Sequence, residues 1–442
     1  MLFLLDIKGL TKIQSIFLIT VILVAVGVGV IYVWLDDLDQ SDDTIRIGVC
    51  ADLDNLFGKT ILQELVLAVE QVNYNGGVLG KKFEVVAVDD DSESQLPDSV
   101  LATKELTRLI TVEGADFIIN SGLGGFSSVY QEIIAEHKRI LFDGYVTDDG
   151  LTQKVLDNYD RYKFYFRAGI NNRTSTTKGI TDMCNVFREH TGFDKIALIQ
   201  HDTPGTAEKQ VTYINSLTEN GFDVVYTARI PLDTFDFASY FASAEASGTE
   251  IAYCTIVTSA GLAFVNEYNT RQSPMVLLGP INPVGFSTAW QITEGKCEYI
   301  STNMYPTMAN YPLTSKTMAF VDAYKERWDT STAGSGALYD VVRFILPDAI
   351  ERAGTIETEK VVEALETTDI ETSLAQHFVF TESHDIMLSE VGPNKADEGY
   401  FSVFVFQWQN GELAPVYPKN IMEEAGATYT FPDWPGPWDN ID

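Results

Sequence analysis

The sequence is short of positive charge. It has 30 Lys and Arg residues against 63 Asp and Glu residues in a chain of 442, so its formal net charge is -33. Such a charge repels nucleic acid and anionic lipid headgroups, and no basic stripe offsets it. We therefore expect no nucleic-acid partner and a well-hydrated surface.

Cysteine and histidine are also scarce, with four Cys and five His. Cys50, Cys184, Cys254 and Cys297 lack the spacing of metal-ligand pairs, and buried free thiols are the default expectation. A Cys254–Cys297 bridge is the alternative, and it requires that neighbouring strands carry both residues. No Gly-x-Ser-x-Gly elbow, Walker loop or His-Glu-x-x-His pattern occurs. These absences predict no enzyme activity, no metal site and no cofactor.

One long apolar run lies near the N-terminus, at residues 13–34. Its length is sufficient for a transmembrane helix. Lys8 and Lys12 precede it and several Asp residues follow it, which places the N-terminus in the cytoplasm and the main domain outside the cell membrane. We thus expect residues 1–35 to form a cytoplasmic tip and a single-pass anchor, and residues 36–44 an acidic linker.

The same run allows two other interpretations. A cleaved secretory signal is one, although the run is long for such a signal and ends without a small-x-small site. The segment from Lys8 to Thr11 also resembles the class III, pilin-type signal of archaeal surface proteins. That signal is cut after Gly9 and leaves the apolar helix on the mature protein.

A strand–loop–helix–strand–loop pattern covers residues 117–147. Two apolar runs, at 117–119 and 140–142, each end in a polar loop, at 120–125 and 143–147. This pattern predicts a βαβ unit with both loops at the carboxyl ends of parallel strands. Open α/β sheets bind ligands at that edge.

Alternating strand and helix signals continue on both sides of this unit. They run from residue 45 to about 168 and start again from about 174 to 278, which predicts two parallel sheets wrapped by helices. Two long helices follow near residues 315–328 and 335–353, and Asn410-Gly411 predicts a hairpin turn. The proline-rich tail at 418–442 predicts irregular structure on the surface.

Several segments, in this order and spacing, resemble one family. They are the strand at 45–49, the helix end at 75–77, residues 88–91, the unit at 117–147, and residues 195–199, 278–280 and 405–411. Together they resemble the type I periplasmic-binding-protein fold in its leucine/isoleucine/valine-binding branch. Proteins of that branch are substrate-binding components of ABC transporters.

The resemblance implies two Rossmann-like lobes with parallel sheets, joined by three hinge crossings near Ala168, Thr302 and Gln376. Lobe one then comprises residues 45–168 and 302–375, and lobe two comprises residues 169–301 and 376–417. Members of the family close the two lobes around a solute in the cleft between them.

The resemblance also implies positions for the ligand contacts in lobe one. The serine that holds the ligand carboxylate in amino-acid binders falls on Gly124, whose N–H remains, and Ser121 is a nearby hydroxyl. The family's second-loop threonine is retained as Thr147, and Tyr145 falls on a position whose backbone contributes. Phe57 and Tyr339 are candidates for apolar walls.

Lobe two departs from the family pattern. A family tyrosine falls near Gly205 and is absent. The carboxylate that pairs with a ligand ammonium falls on Ile281 and is absent too.

The implied ligand-binding set is Phe57, Ser121, Gly124, Tyr145, Thr147, Gly205, Thr258, Asn282 and Tyr339. A buried ammonium needs an anionic partner. The ligand is therefore expected to lack an α-amine, unless Asp52 or Asp143 replaces the missing acid.

The resemblance implies a membrane-tethered, extracytoplasmic solute-binding protein. It would capture a small polar solute, such as an amino acid, an amide or a related compound, and deliver it to ABC permease subunits. Two alternatives stay open at the level of the sequence: a ligand-sensing ectodomain, and a structural or adhesive surface protein.

Overall fold

Two mainly parallel β-sheets with helices packed against them make up the computed structural model of the protein. The structure describes residues 30–32, 44–54, 56–90, 98–121, 126–146, 148–169, 179–203, 206–389 and 399–441.

The first sheet has the strand order β1-β3-β2-β4-β5-β6. Its strands are β1 (Val30–Tyr32), β2 (Thr44–Ala51), β3 (Lys82–Asp89), β4 (Phe117–Asn120), β5 (Ile140–Asp143) and β6 (Tyr165–Arg167). All neighbours are parallel except the edge pair β1 and β3. Nearly every side chain of β2, β4 and β5 is buried, as is usual for central strands of a parallel sheet.

The second sheet has the order β13-β12-β11-β10-β9-β7-β8. Its strands are β7 (Lys195–His201), β8 (Asp223–Ile230), β9 (Ile251–Thr255), β10 (Val276–Leu278), β11 (Ser301–Asn303), β12 (Val405–Gln409) and β13 (Glu412–Tyr417). The last two strands form the predicted antiparallel hairpin, with Asn410 and Gly411 at positive φ in its turn.

The helices of both lobes follow the strands in alternation. In chain order they are α1 (Leu56–Tyr74), α2 (Ser99–Thr111), α3 (Ser127–His137), α4 (Asp149–Asp157), α5 (Tyr159–Tyr162), α6 (Gly179–Thr191), α7 (Thr206–Glu219), α8 (Ala238–Ala246), α9 (Gly261–Arg271), α10 (Ala289–Ile292), α11 (Thr317–Trp328), α12 (Ala337–Asp340), α13 (Leu346–Ala353), α14 (Thr358–Leu365) and α15 (Lys419–Glu424). A π-helical turn, Val341–Ile345, joins α12 to α13.

The two sheets define two lobes, each with its own core. One continuous apolar cluster surrounds the first sheet, and two clusters cover the two faces of the second sheet. We call these halves lobe one and lobe two. The chain passes between them after β6, after β11 and before β12. All four cysteines are buried free thiols, as expected by default, so the Cys254–Cys297 bridge does not form.

The third passage lies later in the chain than the resemblance implied. Phe378, Phe380, Ile386 and Phe401 belong to the lobe-one core. A boundary near Gln376 is therefore too early, because the apolar side chains that follow it fill space beside β6.

The C-terminal tail also differs from the prediction. Residues 419–424 are helical, and Trp438 is only 7% exposed. Its indole Nε1 donates to the carbonyl of Trp434, whose own Nε1 donates to the carbonyl of Ser273. The prediction of an irregular surface tail is therefore wrong for the helix at 419–424 and for Trp438, which is buried against lobe two, whereas residues 427–436 form neither helix nor strand.

The edge strand β1 lies inside the run that was expected to be a transmembrane helix. Val30–Tyr32 pairs antiparallel with residues 86–88. For these three residues the helix prediction is wrong, since β-branched and aromatic residues suit a strand and β3 offers an unpaired edge. The rest of the anchor, linker residues 36–43 and the signal-like segment with Gly9 fall outside the described residues, while Thr44 begins β2. Among the residues that the structure describes, no helix is long and apolar enough to cross a membrane.

Candidate functional site

The carboxyl ends of the lobe-one strands converge on polar residues. Strand β4 ends at Asn120 and β5 ends at Asp143. Because these strands are parallel neighbours, the loops that follow them lie side by side at one edge of the sheet. This edge is where a ligand of an open α/β sheet is expected.

Asp143 is the centre of a buried hydrogen-bond network beneath the two loops. Its Oδ1 accepts from Asn120 Nδ2 at 2.6 Å, and its Oδ2 accepts from the Tyr165 hydroxyl at 2.8 Å. The same Asn120 amide donates to Ser127 Oγ at 3.0 Å. Burial raises the pKa of the Asp143 carboxyl from 3.8 to about 7, although the hydrogen bonds oppose the shift. Both carboxyl oxygens are engaged, so Asp143 orders the ends of β4, β5 and β6 and is not a counter-charge for a ligand.

Arg167 fixes the loop that follows β5. Its guanidinium is fully buried and makes two hydrogen bonds of 2.6 Å to the carboxylate of Asp385. Its Nη1 also donates to the carbonyl oxygens of Val146 at 3.1 Å and Asp148 at 3.0 Å. Those two residues flank position 147. One charged group therefore sets the backbone on both sides of the position to which the resemblance assigns a ligand contact.

Tyr145 joins the same loop to the later part of lobe one. Its hydroxyl lies 2.8 Å from Ser335 Oγ and accepts a hydrogen bond of 2.8 Å from the Ser335 N–H. Its ring meets the ring of Phe57 edge-on, with 4.7 Å between centroids. At Gly144 an added Cβ would lie 2.7 Å from Leu338 Cγ, so the backbone approaches α12 too closely for a larger residue.

A buried acid lies behind this contact. Glu64 on α1 is fully buried, and its Oε1 accepts from Thr332 Oγ1 at 2.5 Å. Among the described residues, its Oε2 has no hydrogen-bond partner. Desolvation raises the pKa of Glu64 from 4.5 to about 8, despite hydrogen bonds that oppose the shift. Near pH 7 the Glu64 carboxyl is thus mainly protonated and neutral, so it places no negative charge in the interior of lobe one.

The corresponding edge of lobe two is built from the ends of β7, β9 and β10. His201 closes β7, and its Nδ1 accepts from the Val257 N–H at 3.3 Å. The Asn282 amide donates to the Val257 carbonyl at 2.9 Å, which joins the loop after β10 to the loop after β9. An added Cβ at Gly261 would lie 1.6 Å from the Asn282 carbonyl oxygen. The segments after β9 and β10 are therefore in direct backbone contact, and the side chain of His201 joins the end of β7 to them.

The structure places the nine expected ligand residues in different ways. Gly124, Thr147 and Gly205 lie outside the described residues. Phe57 and Tyr145 are in contact with each other. Thr258 and Asn282 lie in the two joined loops of lobe two. Ser121 is fully buried at the end of β4, and its hydroxyl donates to the Cys50 carbonyl at 3.2 Å, so that hydroxyl is engaged within the sheet.

Tyr339 is the expected residue that does not reach this edge. It is 2% exposed, packs on Phe320 with 4.2 Å between ring centroids, and donates to Gln71 Oε1 at 2.5 Å. Gln71 lies 15 residues after the start of α1, about 22 Å along the helix. The assignment of Tyr339 to a ligand wall is corrected to core packing.

Ile281, the position of the family's missing carboxylate, is fully buried in the lobe-two core.

Sequence reasoning missed three residues of functional interest: Glu64, Arg167 and His201. For Arg167 and His201 a signal was present, since each is a polar residue at the end of, or just beyond, an apolar segment. For Glu64 there was none, because an acidic residue within an amphipathic helix is usually exposed, whereas Glu64 is buried.

The chain is similar to known proteins along most of its length. A family model described as Periplasmic binding protein matches residues 44–409. The Leu/Ile/Val-binding protein homolog 7 of Brucella abortus (strain 2308) is 25% identical over 381 residues, covering 82% of this chain and 88% of the relative.

Two solved structures share the fold. One is the branched-chain amino acid transporter substrate-binding protein LivJ from Streptococcus pneumoniae in complex with isoleucine, with TM-score 0.65, 18% identity, and coverage of 84% of this chain and 97% of that one. The other is an ABC transporter solute-binding protein from R. palustris in complex with 4-hydroxybenzoate, with TM-score 0.65, 18% identity, and coverage of 84% and 95%. At these identities the likeness establishes the two-lobed α/β fold.

The ion pair of Arg167 leads to a prediction about stability. Asp385→Asn should lower the free energy of unfolding by about 3 kcal/mol, because it leaves a buried guanidinium without its main counter-charge. Asp149, 3.8 Å away, remains as a weaker partner. Denaturant unfolding measures the loss. Asp348→Asn is the control, since it removes a partly exposed pair with Arg352 and should cost less than about 1 kcal/mol. Equal losses in the two variants would contradict the role given to Arg167.

The raised pKa of Glu64 predicts a pH dependence of stability. A carboxyl whose pKa is higher in the folded state stabilises the protein below its unfolded pKa, and this stabilisation is lost as the pH rises toward about 8. The free energy of unfolding of the native protein should therefore fall, relative to Glu64→Gln, as the pH is raised from 5 to 8.5. Glu70→Gln, which removes a partly exposed carboxyl paired with Arg327 on the same helix, should run parallel to the native protein with a constant offset. Parallel curves for all three proteins would show that Glu64 is ionised in the folded state.

Proposed function

Since the chain belongs to the periplasmic binding protein family, whose members are non-enzymatic solute-binding components of ABC transporters, we propose that it captures a small carboxylate-bearing solute in the cleft between its lobes and delivers it to the permease. The solute is an amino acid or a related small polar compound.

One observation carries this proposal. The described strand ends of both sheets carry polar groups that are hydrogen-bonded within their lobe, and the two lobes are linked by three chain passages. A ligand held between two such edges touches both lobes, so its binding favours the closed arrangement. A transport partner then distinguishes the loaded protein from the empty one by shape.

The class of solute is supported by what the relatives are named for or contain. Leucine, isoleucine, valine and 4-hydroxybenzoate share a carboxylate and an apolar body, but 4-hydroxybenzoate has no ammonium group. In this chain the lobe-one loops at 122–125 and 147 are the expected carboxylate site. The apolar Ile281 in lobe two favours a solute that needs no anionic partner there.

Thr147→Ala tests the placement of the site. Native mass spectrometry of the freshly purified protein identifies the solute that it carries, and calorimetry then measures the affinity of that solute. We expect at least a tenfold loss of affinity in Thr147→Ala, from one lost hydrogen bond to a charged group, with a change in unfolding free energy below about 1 kcal/mol. Thr330→Ala, an exposed threonine of the same lobe, is the control. Unchanged affinity in Thr147→Ala would remove position 147 from the site.

We also propose that the protein is tethered to the outer face of the cell membrane by its N-terminal apolar run. With residues 30–32 in a strand, the run that remains at 13–29 has about 17 residues, the lower end of the range that spans a bilayer. The full chain should stay in the membrane fraction after a carbonate wash, whereas a chain that begins at Thr44 should be released. Release of both would exclude a tether.

A further inference from the structure

His201 is a buried hydrogen-bond donor at the cleft edge of lobe two. It is the last residue of β7 and is 1% exposed. Its Nδ1 accepts from the Val257 N–H at 3.3 Å, so the proton of the neutral ring resides on Nε2. Burial lowers the pKa of the imidazole, which keeps the ring neutral near pH 7.

The Nε2–H has no acceptor within the part of the chain that the structure describes. A buried donor without an acceptor destabilises a folded protein, so native structures rarely keep one without a reason. In this protein the donor lies at the carboxyl end of a parallel strand, where α/β sheets bind ligands.

The turn to which His201 is hydrogen-bonded leads into the N-terminus of a helix. Four residues after Val257, at Gly261, the chain enters helix α9, which has eleven residues. Thr258 orders this start, because its Oγ1 accepts from the Ala260 N–H and its carbonyl accepts from the Gly261 N–H. The N-terminus of a helix carries partial positive charge and favours anions and carbonyl oxygens.

Neighbouring groups leave this edge electropositive or neutral. Ile281 is apolar and buried, and the Asn282 amide already donates to the Val257 carbonyl. The next residue along the chain, Asp202, is half exposed and forms an ion pair with Arg229 at 3.4 Å. An ammonium group placed here would meet the His201 Nε2–H donor and the partial positive charge of the α9 N-terminus.

From this arrangement we propose that His201 and the start of α9 form a donor subsite in lobe two, which binds an acceptor group of the solute, a carbonyl or carboxylate oxygen. The inference rests on the proposed solute-binding function and specifies its chemistry. The preferred solutes are 2-oxo acids or dicarboxylates, and the corresponding amino acids bind less tightly, because an ammonium replaces the acceptor that His201 needs.

Matched pairs of compounds test this preference. Calorimetry compares leucine with 4-methyl-2-oxopentanoate, alanine with pyruvate, and glutamate with 2-oxoglutarate. Within each pair the carboxylate and side chain are the same, and the ammonium and hydrogen on the α-carbon are replaced by a carbonyl oxygen. We expect at least one 2-oxo acid to bind, and to bind at least tenfold more tightly than its amino acid.

Variants of His201 test the residue itself. In His201→Leu the bound 2-oxo acid should lose affinity by about 10- to 100-fold, the effect of one hydrogen bond to a charged or strongly polar group. In His201→Gln, whose amide carries a donor at a similar distance from the backbone, most of the affinity should return. His190→Leu, on the exposed end of α6, is the matched control and should bind as the native protein does. Thermal unfolding without ligand confirms that each variant is folded.

The outcomes separate this inference from the function on which it rests. Tighter binding of the amino acids, no binding of any 2-oxo acid, or an affinity unchanged by His201→Leu would each overturn the donor subsite. In those cases a solute found by native mass spectrometry would still support the solute-binding function. A protein that carries no solute and binds none of the six compounds would overturn both.

Discussion

A guanidinium with no access to water must be neutralised inside the protein, and Arg167 shows how lobe one is arranged around that requirement. Asp385 supplies the counter-charge, and it comes from a segment more than 200 residues later in the chain. The remaining donors go to the carbonyl groups of Val146 and Asp148. A single buried charge thus attaches the segment around residue 385 to the edge of the first sheet and determines the backbone of a cleft loop. If either the segment around residue 385 or this loop moved away, the buried guanidinium of Arg167 would lose hydrogen-bond partners.

The two cleft edges are ordered by different means. In lobe one, the side chains of Asp143 and Tyr145 are hydrogen-bonded within the protein and hold the strand ends and the loop after β5. In lobe two, the loops are joined by backbone hydrogen bonds and by the side chains of His201 and Asn282. With the donor subsite that we propose, lobe two would in addition select for an acceptor group on the solute.

The fold was predictable because strands and helices alternate with clear apolar periodicity, as in residues 117–147, where β4, α3 and β5 lie as predicted. The predictions that failed concern residues whose positions depend on contacts between segments that are distant in the chain. Phe378 and Phe380 look like the start of a new strand layer, but their burial depends on the space beside β6. Trp438 follows three prolines and is buried only because lobe two offers an apolar face. An aromatic residue such as Tyr339 could line a pocket or pack in a core. Its contact with Phe320 and its hydrogen bond to Gln71, neither visible in the sequence, place it in the core. Buried acids such as Glu64 leave no periodic signal at all.

The close approach of Gly261 to the Asn282 carbonyl has a consequence for how this protein can acquire new specificities. With no room for even one methyl group between them, the loops after β9 and β10 form a single mechanical unit, and lengthening either one would push the other away. We therefore expect changes of specificity on this pair of loops to come from exchanged side chains rather than from insertions or deletions.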